Sequence, residues 1–183
     1  MAARRRWRGA GERSCAAAGV AHSVGLSVAL VEQPYRVAGR RAPAPAHQLD
    51  GAWTAVIEHL LAGELRSLSL VVGGRSSGAR VACRTAGAVG AIGVLCLAFP
   101  LQPPRRSGAT PAQSRLPELD ALTVPTLVVQ GMRDPFGIPR PRSGARWCRW
   151  RATTAAHRSR CSGEAVRAWL LHVVLESHTT RTS

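Results

Sequence analysis

The sequence predicts an α/β fold, in which a mostly parallel sheet carries helices on both faces. Short runs of apolar residues, each about the length of a strand, recur along the 183 residues. Strands that are apolar on both faces are typical of a sheet buried on both sides. Between these runs lie segments whose apolar residues repeat with helical spacing, so strands and helices alternate. At this length we expect one domain.

The elements are justified in chain order. The first predicted strand is Leu26–Val31, which stops before Pro34 because proline cannot donate to a strand ladder. A linker over 36–47 then leads to a helix at Gln48–Ala62. The remaining elements are a strand at Leu68–Val72, a helix at Ser77–Ala88, strands at Ile92–Phe99 and Thr126–Gln130, a proline-rich loop at 101–117 and a helix at Glu164–Leu175.

These elements divide the chain into four segments. Residues 1–24 are expected to be basic and irregular, and residues 25–137 to form the core. An arginine-rich irregular segment over 138–162 follows, and residues 163–183 form a last helix and a tail.

Composition excludes several classes of protein. The net charge of +15 lies mostly at the two ends of the chain, and there is no lysine, so we expect no nucleic-acid partner. Binding of nucleic acid by the arginine-rich ends is kept as a minor alternative. No apolar run is long enough for a membrane helix. Five cysteines without a Cys-x-x-Cys pair predict a reduced cytoplasmic setting, no metal site and no cofactor.

The candidate chemistry begins at Gly74-Arg75-Ser76-Ser77-Gly78, a Gly-x-Ser-x-Gly pattern between a strand and a helix. This is the arrangement of a nucleophile elbow, which holds a serine hydroxyl above the edge of a sheet. Ser76 is the candidate nucleophile, and the backbone N–H of Ser77 would donate to an oxyanion. Gly74 and Gly78 allow the close approach of strand and helix. An ordinary Gly/Ser turn is the alternative.

A serine nucleophile needs a base and an acid that orients the base. Asp134 follows the strand Thr126–Gln130 and is the candidate acid; the alternative is a turn residue before proline. The order serine, aspartate, histidine then calls for a histidine after Asp134. His157 fits best by position, since His172 falls within the last helix and His178 in the tail, although His157 also fits a solvated surface residue.

Three pieces of the sequence resemble a known family: the elbow, the loop Gly131–Gly137 and the segment Val28–Arg36. They resemble a bacterial α/β-hydrolase-like group related to dienelactone hydrolases, which also occurs as a domain in a subunit of a histone-acetyltransferase complex. The resemblance covers about 25–137 and, weakly, 163–175. It implies a serine hydrolase-like fold with Ser76 and Asp134 in triad positions. The substrate does not transfer from this group; for a serine nucleophile of this kind we expect a small ester-type or acyl substrate. Dienelactone hydrolases themselves use cysteine at the elbow, where this chain has serine.

The sequence departs from this family at both ends. The family has earlier strands and a His-Gly-Ala-Gly-Gly loop that supplies a second oxyanion donor, whereas here only Arg8-Gly9-Ala10-Gly11 is similar. The family also has an apolar strand followed by Gly-Asp-His-Ser, whereas residues 140–160 hold seven arginines and show no periodicity. We therefore expect a fold that is incomplete at the N-terminus and at the last strand.

The codon table offers a reason for the second departure. Residues 147–155 can be encoded TGG TGC CGG TGG CGG GCG ACC ACA GCC. Read from the third base, this DNA encodes Val-Pro-Val-Ala-Gly-Asp-His-Ser. The agreement indicates a displaced reading frame between about 139 and 162. His157 is then not the family histidine, and the chain as translated should hydrolyse substrates weakly or not at all. A non-catalytic binding or scaffold protein on the same fold is the alternative.

Overall fold

A computed structural model of the chain describes residues 12–103, 113–140, 145–150 and 155–179, with side chains over 14–103, 113–140 and 163–176. Four parallel strands form one sheet in the order β1-β2-β3-β4. Their bounds are β1 Val71–Arg75, β2 Gly93–Leu97, β3 Thr126–Gly131 and β4 Ala145–Trp150. The predicted parallel sheet is therefore confirmed.

Six helices accompany this sheet in the described part of the chain. They are α1 Glu12–Ser23, α2 Pro34–Val37, α3 Ala46–Ala62, α4 Ser77–Thr85, α5 Leu116–Asp120 and α6 Ala155–Thr179. None of them, within the described ranges, combines the length and apolar content that crossing a bilayer requires.

The two faces of the sheet are covered by different helices, because successive strand side chains point to opposite faces. Val72, Val94 and Val128 face one way and pack with the buried residues of α4 and α5. Leu127 and Val129 face the other way, against the buried side chains of α6 and the small apolar residues of α1; the α6 residues are Val166, Trp169, Leu170 and Val173. Helices cover both faces of the sheet, as predicted, so the core consists of one layer of apolar side chains on each face.

The predicted strand Leu26–Val31 is not formed. These residues follow α1 without any assigned secondary structure, and Val28 is 42% exposed. Leu26 nevertheless packs with the face covered by α6. A strand is stable only when a neighbour takes up its backbone hydrogen bonds, and no backbone hydrogen bond joins this segment to β1 in the described part. An apolar run alone was therefore not enough to make this segment a strand.

Two segments predicted to be irregular contain regular structure. Within 1–24, residues 12–23 form α1, while residues 1–11 lie outside the described residues. Within 138–162, β4 pairs with β3 from Ala145 opposite Thr126 to Trp150 opposite Gly131, and α6 already begins at Ala155. The open edge of β3 supplies hydrogen-bond partners that no periodicity of the arginine-rich sequence reveals, so tertiary context overrides the local pattern.

Smaller differences concern boundaries. β1 begins at Val71 rather than Leu68, and α4 ends at Thr85 rather than Ala88. Within the predicted loop 101–117, residues 104–112 lie outside the described residues and α5 begins at Leu116. Boundaries of elements are set by hydrogen bonding to neighbours, which hydropathy does not report.

An ionic network joins the three helices on one face of the sheet. Arg84 of α4 donates to both carboxylate oxygens of Asp50 in α3, at 2.8 and 2.6 Å. Arg84 also donates to Glu118 of α5 at 3.3 Å, and Arg80 Nε donates to the same carboxylate at 2.9 Å. The hydrogen bond to Asp50 raises the pKa of Arg84 above its ordinary value. Two arginines against two acids leave the network neutral.

A pair of buried thiols lies between α4 and β2. The Sγ atoms of Cys83 and Cys96 are 3.4 Å apart. The hydrogen bond between the two thiols, followed by burial, raises the pKa of Cys96 well above its ordinary value. A neutral thiol is thus favoured in the folded state.

The raised pKa of Cys96 predicts that the protein becomes less stable at alkaline pH. Below a pH of about 8.5 the thiol is neutral in both states and contributes no pH dependence. As pH rises further, only the unfolded chain releases the proton, so the free energy of unfolding falls by up to about 1.4 kcal/mol per pH unit from this group. Urea denaturation between pH 7 and 10 should show a flatter decline for Cys96→Val than for the wild type. Identical slopes would contradict the assignment.

Candidate active site

Ser76 occupies a strained turn between β1 and α4. Its backbone has φ 55° and ψ −114°, in a region that residues other than glycine rarely adopt. The Ser76 N–H donates to the carbonyl of Leu97 at the end of β2, at 3.2 Å, which anchors the turn to the sheet. Strain of this kind persists where surrounding contacts enforce it and is frequent at functional sites. The backbone therefore has the geometry that a nucleophile elbow requires.

The glycines of the motif have unequal roles. A Cβ placed on Gly74 would lie 2.5 Å from the carbonyl carbon of Gly78, so only glycine fits there. A Cβ on Gly78 would meet nothing closer than Nε2 of Gln33, at 3.9 Å, which is an ordinary contact. Strand and helix thus approach each other at Gly74, as predicted, whereas Gly78 is not required on steric grounds.

The first turn of α4 presents unpaired backbone donors beside Ser76. Ser77 is the first residue of the helix, and its N–H has no backbone acceptor within the described residues. The first N–H groups of a helix lack intrahelical partners and carry a partial positive charge. They can therefore stabilise negative charge on an oxygen held near the Ser76 hydroxyl.

Asp134 lies in the loop that follows β3, at the same edge of the sheet as Ser76. Its Oδ1 accepts a hydrogen bond from the Phe136 N–H at 3.0 Å, and its backbone takes part in two further turns with Gly131 and Gly137. Oδ2 has no hydrogen-bond partner in the part of the chain that the structure describes. One oxygen thus holds the carboxylate in place and the other is open to a further donor.

Strand register relates the two residues. Arg75, just before Ser76, pairs with Leu97 of β2, and Leu97 pairs with Val129 of β3. Continued by one residue, this register puts Ser76 level with Gln130, next to the end of β3 and two strands away. Neighbouring strands are about 4.8 Å apart, so β1 and β3 are separated by about 10 Å. A third side chain is needed between nucleophile and acid.

No described histidine fills that gap. His172 lies in α6, and its Nε2 is 3.0 Å from a carboxylate oxygen of Glu176. His157 lies in the first turns of α6, not in the predicted loop, and its side chain, like that of His178, lies outside the described residues. With a rise of about 1.5 Å per residue, His172 sits about 22 Å along the helix from His157. The position of α6 after β4 therefore leaves His157 nearer to the carboxyl edge of the sheet.

Gln33 is a neighbour of the elbow that sequence reasoning missed. Its Nε2 lies beside Gly78, and its buried Oε1 has no hydrogen-bond partner in the described residues. The signal available in the sequence was only its position after an apolar run.

A cavity of about 360 Å³ lies elsewhere, at the far end of α4, where Arg84, Glu118 and Thr123 are among its lining residues. It does not include Ser76. The described residues also contain no group of three potential metal ligands.

Comparisons with known proteins identify a related family and two structures of similar fold. The alpha/beta hydrolase domain family matches residues 13–146. An alpha-beta serine hydrolase homologue from Coxiella burnetii is 14% identical with a TM-score of 0.56, covering 84% of this chain and 74% of its own. A member of the α/β serine hydrolases without a lid, from Xanthomonas campestris, is 18% identical with a TM-score of 0.50, covering 88% and 72%. No curated protein matches the sequence.

At these identities the two solved structures establish similarity of fold only. The family match, in contrast, spans more than two thirds of the chain and includes the elbow and the Asp134 loop. The chain therefore belongs to the α/β hydrolase domain family.

Proposed function

We propose that this protein is a serine hydrolase of small ester-type or acyl substrates whose catalytic base is damaged in the chain as translated. In this proposal Ser76 attacks the substrate carbonyl and Asp134 orients a base. The Ser77 N–H stabilises the oxyanion, and no cofactor takes part. The observation that carries the proposal is the strained elbow: Ser76 holds a positive φ immediately before Ser77, the first residue of α4, whose N–H has no backbone acceptor in the described residues.

The acid position supports the same reaction class. A carboxylate held through one oxygen, with the other open, can accept a hydrogen bond from an imidazole and stabilise its charged form. The support for this role is that Asp134 follows β3 and Ser76 follows β1, and parallel strands end at the same edge of a sheet. A turn residue alone would satisfy the Phe136 N–H equally well; the acid role is favoured because Asp134 and Ser76 follow strands that end at one edge of the sheet.

The catalytic base is the damaged part of the proposed site. His157 is the candidate in the translated chain. The displaced-frame hypothesis instead puts the family histidine at codons 153 and 154, between β4 and α6. Without a correctly held imidazole, the Ser76 hydroxyl is a poor nucleophile, since its proton has no acceptor. Catalysis then rests on the oxyanion donors and substrate binding alone.

Labelling with a fluorophosphonate, which reacts covalently with activated serines, tests this proposal. We expect slow labelling of the wild-type chain and none of Ser76→Ala, with Ser77→Ala as the matched control that keeps the backbone N–H. Strong labelling that Ser76→Ala abolishes would show that the base is intact and would overturn the impaired site. Absence of labelling in a folded chain that binds a stable partner in pull-down would favour the scaffold alternative.

A further inference from the structure

We propose that Gln130 is a positioning residue for Asp134, a role that deepens and rests on the proposed function. Gln130 is the penultimate residue of β3, four residues before the candidate acid, and its side chain is fully buried. Its Nε2 donates to the carbonyl of Phe99 at 3.2 Å and to the carbonyl of Gly137 at 3.1 Å. One amide nitrogen thus ties the end of the Asp134 loop to the loop that leaves β2.

Further contacts hold together the two loops that the Gln130 side chain connects. The Gln102 N–H donates to the carbonyl of Phe136 at 2.9 Å, and Leu101 lies within van der Waals distance of a Cβ placed on Gly137. Arg115 donates from its side chain to Pro100 and from its backbone to Leu101. Arg115, at the start of α5, therefore fixes the loop that leaves β2. The two hydrogen bonds of Gln130 connect that loop to the loop that carries Asp134.

The choice of residue argues for a positioning role. The neighbours of Gln130 in β3, Val128 and Val129, are apolar and buried, as expected in the centre of a sheet. A glutamine at such a site leaves its own Oε1 buried without a partner in the described residues, which is unfavourable. Residues that serve packing alone avoid this cost.

An amide is also the chemically suitable group. Both partners are carbonyl oxygens, so the nitrogen end must face them. The amide supplies two N–H donors without bringing a second charge near the Asp134 carboxylate. A lysine or arginine there would compete with the imidazole that the carboxylate is proposed to hold.

Site-resolved hydrogen exchange on the full chain tests whether Gln130 holds the Asp134 loop. The variant is Gln130→Met, because methionine fills the volume without donating a hydrogen bond. The Phe136 amide reports the hydrogen bond to Asp134 Oδ1. We expect its exchange to become about tenfold faster, as for the loss of one or two ordinary hydrogen bonds, with little change in β1. Val128→Ala is the control: a deletion on the same strand, in the buried core that packs with α4 and α5.

Ser76-dependent fluorophosphonate labelling is the second readout. This readout uses the chain in which the alternative reading frame restores Gly-Asp-His-Ser, because Asp134 acts only through the base that it orients. There we expect Gln130→Met to lower the maximal labelling rate about tenfold without changing the concentration of half-saturation, and Val128→Ala to change neither. Unchanged Phe136 exchange, or exchange that rises equally in both variants and throughout the sheet, would overturn the inference. If the wild type shows no Ser76-dependent labelling, the proposed hydrolase function fails, while the exchange experiment still decides whether Gln130 holds the Asp134 loop.

Discussion

Restoring the alternative reading frame between residues 139 and 162 is expected to raise the rate of fluorophosphonate labelling by about three orders of magnitude. Loss of a triad histidine costs at least this much in serine hydrolases. The restored segment encodes an apolar strand followed by Gly-Asp-His-Ser. Its histidine falls shortly after β4, which ends at Trp150 beside the Asp134-bearing strand. We expect an imidazole in this segment to act as the missing base.

Ser76→Ala in the restored chain is the control and should abolish labelling. Resequencing the genomic DNA across codons 137–165 shows directly which frame the gene encodes. Equal labelling of the two chains would contradict the displaced-frame hypothesis for function. If the gene encodes the arginine-rich segment rather than the apolar strand and Gly-Asp-His-Ser, the protein is better treated as a non-catalytic relative.

Replacing Gly74 with alanine is expected to lower the free energy of unfolding by more than about 3 kcal/mol, or to prevent folding. The added methyl would lie 2.5 Å from the carbonyl carbon of Gly78 and 2.9 Å from the nitrogen of Ala79. These are backbone atoms in the first turn of α4, so neither can move without separating the helix from the sheet. Urea denaturation followed by tryptophan fluorescence measures the loss.

Gly78→Ala is the matched control within the same turn. Its Cβ would meet only the flexible end of Gln33 at 3.9 Å, so we expect a change within about 0.5 kcal/mol. If the two variants were equally stable, β1 and α4 would not approach each other closely at Gly74. A large loss in Gly78→Ala would instead indicate that the Gln33 contact is rigid.

Much of the fold follows from local sequence. The strands β1, β2 and β3 and the helices α3 and α4 lie where apolar runs and helical spacing predict them, with boundary shifts of a few residues. Each combines a period that matches its structure with a clear stop signal such as glycine or proline. The elbow was predictable for the same reason: a Gly-x-Ser-x-Gly pattern gains meaning only between a strand and a helix.

The errors share a physical cause. Leu26–Val31 is as apolar as β2, yet no strand forms, whereas the arginine-rich residues Ala145–Trp150 pair with β3 along their whole length. Whether a segment becomes a strand depends on a neighbour with free backbone groups, and hydropathy contains no information about that neighbour. α6 also begins earlier than predicted, at Ala155, nine residues before Glu164.

The sequence by itself determined the order of the core elements, the α/β class, and the positions of the elbow serine and of the aspartate after β3, because these depend on periodicity and turn chemistry within a few residues. Only the tertiary structure decided the contacts of Gln130, Gln33 and the two elbow glycines. Those depend on atoms that approach from other strands and loops: the carbonyl of Phe99, the backbone of Gly78 against Gly74, and the register that brings Ser76 and Asp134 to one edge of the sheet.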